Sequence, residues 1–81
     1  MIIYPVATEK AINQIAKGNT ITFEVGKAET SKTVRSFIET EYQVKVADVR
    51  MMNTFSGKKR AFVKLKKEFP AMDLASKLKV L

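Results

Sequence analysis

Apolar residues along this chain change their spacing several times, and each change marks an element. Ala11, Ile12, Ile15 and Ala16 fall on one helical face, with Thr8 as cap, Glu9 at the positive end of the dipole and Gly18 closing the helix. Ile21, Phe23 and Val25 then alternate with Thr20, Thr22 and Glu24, the period of a half-buried strand that Gly26 ends. Thr30 or Ser31 caps a second helix, which buries Val34, Phe37, Ile38 and Tyr42 and turns Lys32, Arg35, Ser36 and Glu39 outward. From Gln43 the spacing returns to two. Val44 and Val46 share one parity and Val49 and Met51 take the other, so this strand needs a bulge near Ala47 and Asp48.

Asn53 to Lys58 reads as a turn, with Gly57 supplying the permissive backbone. On the strand that follows, Ala61, Val63 and Leu65 point one way, and Lys58, Arg60, Phe62, Lys64 and Lys66 the other. Pro70 suits the first turn of a last helix, buried through Met72, Leu74, Ala75 and Leu78. The expected order is a short leading helix and then β-α-β-β-α. That is an α+β fold: a small ferredoxin-like sandwich with a three-stranded antiparallel sheet and helices packed on one face. The other face, or its rim, is left for a partner.

Composition narrows the chemistry. With 81 residues, 46% apolar and 28% charged, the chain suits one globular domain over residues 1–81. Cysteine and histidine are both absent, which removes disulfides, thiol nucleophiles, zinc sites and histidine acid–base pairs. No cofactor is implied, and the scattered acids make metal-assisted hydrolysis a poor reading. No apolar run approaches the ~20 residues that cross a bilayer. The opening Met1-Ile2-Ile3-Tyr4-Pro5 is too short for a signal peptide, so a cytosolic protein without membrane insertion is expected. The four methionines read as fillers of core gaps.

Charge points to a partner. Residues 43–67 hold Lys45, Arg50, Lys58, Lys59, Arg60, Lys64, Lys66 and Lys67 against Asp48 alone, while the rest of the chain is balanced. The formal +7 thus sits on two strands and their turn. Lysines on a sheet edge can serve merely to deter pairing with another sheet. So concentrated a charge fits a polyanion better, with nucleic acid first, held by phosphate neutralisation and counterion release. Arg50 and Arg60 can fork onto phosphates or stack on bases. Lys27, Lys32 and Arg35 gather near the start of the second helix, whose free N–H groups attract phosphate, although a solvated helix face explains them nearly as well. Phe62 lies on the open face and either stacks on a base or covers the sheet. Phe55, at the turn tip, reads as an exposed contact to RNA or protein.

Four stretches together resemble one family. Pro5-Val6-Ala7-Thr8-Glu9-Lys10-Ala11 is similar to the P-x-x-T-E-K-A opening of the universal large-subunit ribosomal protein twenty-three family. Tyr42-Gln43-Val44-Lys45-Val46-Ala47-Asp48-Val49 resembles its aromatic-x-V-x-V-x-x-V strand, and Gly57-Lys58-Lys59-Arg60-Ala61-Phe62-Val63-Lys64-Leu65 its G-x-K-K-A-x-V-x-L strand. Ala71 to Leu78 resembles the ending of the archaeal and eukaryotic branch. Three places depart from the pattern. The family's A-x-K before the second helix is Glu29-Thr30-Ser31 with Lys32 one residue later, and V-N-T is Val49-Arg50-Met51. The long hairpin loop of bacterial relatives is reduced to Asn53–Gly57, which fits an archaeal type.

The resemblance implies a structural role in the large ribosomal subunit, not catalysis. It implies contact with large-subunit rRNA and with neighbouring ribosomal proteins at the polypeptide exit tunnel. It also implies docking of the signal recognition particle, nascent-chain chaperones and the translocon. The expected RNA-binding residues are Lys10, Lys27, Lys32, Arg35, Arg50, Lys58, Lys59, Arg60 and Lys64. Factor docking would fall on Ala7, Thr8 and Glu9; without the resemblance, Glu9 and Lys10 are an ordinary helix start. Two rivals differ in kind. A free-standing RNA-recognition module would share the topology, but Arg60 and Thr22 stand where its two stacking rings belong, and its final strand is missing. A small ferredoxin-like enzyme would need a convergent polar pocket and a general base, and neither is evident.

Overall fold

The computed structural model describes residues 3–54 and 57–78. Ile3–Pro5 forms a first strand, β1, which the sequence pattern did not announce. Helix α1, Glu9–Gly18, follows, with the Thr8 hydroxyl accepting from Ala11 N–H at 3.2 Å as expected of its cap. Strand β2 is Thr20–Val25, and α2 is Ser31–Tyr42. Thr30 and Thr33 close a reciprocal capping box at the start of α2. Strands β3 (Val46–Asn53) and β4 (Lys59–Leu65) and helix α3 (Ala71–Lys77) complete the order.

The sheet has four strands in the order β1-β2-β4-β3, every neighbouring pair antiparallel. The expectation of three is corrected by β1, which pairs Ile3 with Val25, Tyr4 with Glu24 and Pro5 with Phe23. The bond from Val6 N–H to the Thr22 carbonyl, 2.9 Å, prolongs that pairing. Three residues ending in proline cannot display a two-residue period, and backbone pairing alone recruits them. The expected bulge is present: Val46 faces Leu65 and Asp48 faces Lys64, so Ala47 is the extra residue. It is this bulge that returns Val49 and Met51 to the same face as Val46. Gly57 has φ +78°, the turn conformation a side chain disfavours.

That face carries the core. Ile21, Phe23, Val25, Val46, Ala61, Val63 and Leu65 of the sheet pack against Val34 and Ile38 of α2 and Ala71, Leu74 and Ala75 of α3. Phe23, Ile21, Ile38 and Leu65 are the largest side chains sealed there, each stabilising by about 2 kcal/mol through burial. Helix α3 corrects the expectation at one position. Met72 is exposed and Ala71 is buried, because the inward stripe runs 71, 74, 75, 78. Met52 is exposed as well, so of the described methionines only Met51 packs on the core.

Helix α1 sits differently from the other two. Ile15 reaches the core, yet Gln14 accepts a 3.3 Å hydrogen bond from Thr22, which points to the opposite face of the sheet. The helix therefore straddles the sheet edge. Asn19, rather than Gly18, ends it, in the left-handed region at φ 51°. Its side-chain N–H₂ donates to the carbonyls of Leu65 (3.0 Å), Lys66 (3.3 Å) and Phe69 (3.3 Å). Its side-chain oxygen accepts from Ala71 N–H at the start of α3. One asparagine thus fastens α1, the end of β4 and α3 together.

Candidate nucleic-acid interface

With the core on one side, strict alternation sends every second residue of β2, β3 and β4 to the other. Phe62 lies between Thr22 of β2 and Arg50 of β3; Lys64 lies between Thr20 and Asp48, and Arg60 between Glu24 and Met52. On this open face Arg50 and Lys64 are exposed, and Phe62 and Arg60 are half-buried. Helix α1 adds a wall. Lys10, Asn13, Gln14 and Lys17 have the spacing of a single helical stripe, and that stripe borders the face. With Asp48, Arg50, Met52, Phe62 and Lys64 of the sheet, that stripe lines an open trough of about 900 Å³.

The trough's electrostatics are one-sided. Lys10, Lys17, Arg50 and Lys64 line it, opposed by the carboxylate of Asp48 alone. Among the described residues none of those four cations is in an ion pair. Their charge is available to a ligand, and low-dielectric walls focus it outward. So disposed, the four cations suit holding an anion.

The other candidate cations are placed elsewhere or are occupied. Lys58 pairs with Glu24 at 3.1 Å and lies with Lys27 beside Tyr4, at the far end of β2 and β4. Lys59 has helix-side parity and donates to the Glu29 carbonyl at 3.4 Å. Arg35 donates to the Val46 carbonyl at 2.9 Å, while Glu39 accepts from Val46 N–H at 3.0 Å, so this pair pins α2 to the start of β3. Lys32 is exposed on the first turn of α2, in the helix layer. The structure thus brings Lys10, Arg50 and Lys64 together, with Arg60 beside them. Lys17 was missed by sequence reasoning, although its i, i+7 relation to Lys10 was the signal that could have found it. Ala7, Thr8 and Glu9 are all exposed at the start of α1, clear of the trough lining. Phe55 lies outside the described residues.

Similarity to known proteins bears on what such a face holds. A family model described as Ribosomal protein L23 matches residues 1–72. The chain is 47% identical over 81 residues to the large ribosomal subunit protein uL23 of Pyrobaculum aerophilum, covering 100% of both chains. It is 41% identical over 76 residues to the protein of the same name from Caldivirga maquilingensis, covering 94% of this chain and 88% of that one. A chain matched over nearly its whole length, with the basic face carried by the matched residues, belongs to the ribosomal protein L23 family.

Proposed function

We propose that this chain binds large-subunit rRNA through the open face of its sheet and the adjoining stripe of α1. Family membership makes it a structural, non-enzymatic component of the large ribosomal subunit, and so a cytoplasmic one. The observation that carries the RNA-binding reading is the trough in which Lys10, Lys17, Arg50 and Lys64 stand around Phe62 without ion-pair partners among the described residues. Arg60 extends this surface along β4. Lys27 and Lys58 form a second, weaker contact at the other end of the sheet, with Lys32 at its margin. Arg35 and Lys59 contribute charge from positions whose first duty is internal bonding. Residues 1–81 act as one rRNA-binding unit at the rim of the exit tunnel, beside other ribosomal proteins. There Ala7, Thr8 and Glu9 offer a docking point to the signal recognition particle, nascent-chain chaperones and the translocon.

A tagged chain should co-sediment with large subunits and stay with them through a high-salt wash. Salt strips contacts that rest on charge alone, so retention requires complementary shape as well. Recovery only in soluble or free-RNA fractions would favour a free-standing RNA-binding module of similar topology. A second expectation separates the two surfaces. Glu9→Lys should leave incorporation unchanged, because Glu9 is exposed and outside the trough lining, while lowering factor affinity on purified subunits. Unchanged factor affinity would remove Glu9 from the docking site.

A further inference from the structure

We infer that the trough receives a single unstacked nucleobase, seated on Phe62, so that the protein recognises a bulged or flipped-out nucleotide and not only a regular duplex. This rests on the RNA-binding reading above and adds what the site selects. Phe62 stands at the centre of the open face, where a ring whose task was to cover the sheet would have apolar neighbours. Its cross-strand neighbours are instead Thr22 and Arg50, and the residues two places along β4 are Arg60 and Lys64. An aromatic ring flanked by a small side chain and an arginine offers a stacking surface with cations placed for the adjoining phosphates.

The walls supply edge recognition. Gln14 uses its oxygen to accept from Thr22, which leaves its N–H₂ to donate, and Asn13 is the next amide on the same stripe. Such amides read the hydrogen-bonding edge of a base once it has left its helix. Exposed Met52 closes the opposite side with polarizable surface. Arg60, two residues from Phe62 on the same face, adds positive charge just beyond the trough lining. The open trough, about 900 Å³, is of the size that houses small ligands, about 300–1,000 Å³. A regular A-form helix presents its backbone and shallow groove, not the faces of its bases, and would leave Phe62 without a stacking partner.

The test compares two RNA hairpins with the same stem, one perfectly paired and one carrying a single bulged 2-aminopurine. The intact protein should bind the bulged hairpin about tenfold more tightly, the scale of one base stacked on an aromatic ring, and quench the probe. Phe62→Tyr should keep that preference and Phe62→Leu should abolish it, whereas Lys64→Glu should weaken both hairpins alike. Equal affinity for the two hairpins, or an unquenched probe in a formed complex, overturns the inference and leaves the RNA-binding reading standing. Failure to bind either hairpin at moderate salt overturns that reading itself. Quenching in the unaltered protein decides the matter even where Phe62→Leu does not fold.

Discussion

Asn19→Ala should lower the unfolding free energy by about 3 kcal/mol, a large loss for a domain of this size. The loss has two sources. Alanine in the left-handed region costs roughly 1 kcal/mol where asparagine sits with little strain. The Ala71 N–H and the carbonyls of Leu65 and Phe69, all part-buried, and the exposed carbonyl of Lys66 also lose their shared partner; water replaces part of this bonding, which leaves a net cost of about 2 kcal/mol for the group. At about 4–8 °C per kcal/mol for a domain of this length, the melting temperature should fall by roughly 12–24 °C. Asn19→Gly separates the two sources, since glycine accepts the backbone conformation and removes only the hydrogen bonds. It should recover about 1 kcal/mol of the loss. Thermal melts of the three proteins decide it. A variant with alanine that melts within a few degrees of the parent would mean that α1, β4 and α3 hold together without this residue.

The largest functional effect is expected from reversing Arg50 and Lys64 together. Both are exposed, neither has an ion-pair partner among the described residues, and both border the trough. Arg50→Glu with Lys64→Glu should therefore leave the melting temperature nearly unchanged while RNA affinity falls by about a hundredfold or more. Each lost phosphate contact should also flatten the dependence of log affinity on log salt by roughly 0.7–0.9. In cells the doubly reversed protein should accumulate outside large subunits. Incorporation at the normal level, with the protein folded, would move the RNA interface off this face. The same reversal at Lys59 and Arg60 is a poorer probe. Lys59 bonds the Glu29 carbonyl and Arg60 is half-buried, so damage to the fold would be mistaken for lost RNA contact.

What the sequence disclosed follows from how far each signal reaches along the chain. Strands β2 and β4 were legible from alternation, and the bulge at Ala47 from a change of parity, because these are local periodicities. Strand β1 was hidden, being too short to carry a period and held by its pairing to β2. In α3 the bulk of Met72 outweighed Ala71 in the sequence pattern, although only the smaller residue completes the inward stripe. Charge density located Arg50 and Lys64. It overlooked Lys17, which lies in a segment whose charges balance, and only the path of α1 across the sheet edge brings it beside them. Nothing near Asn19 in sequence announces partners 46–52 residues away.

Both margins of the sheet are unattractive to a further strand. On one side β1 offers three residues ending at Pro5, which has no amide proton to give. On the other, β3 is kinked at Ala47 and carries Arg50 along its length. In the position proposed for it, at the rim of the exit tunnel, the protein would meet extended backbone at high local concentration. A long, flat margin there would capture those chains or seed their aggregation. In that proposed position, blunt margins would keep it from becoming a template for the chains that pass.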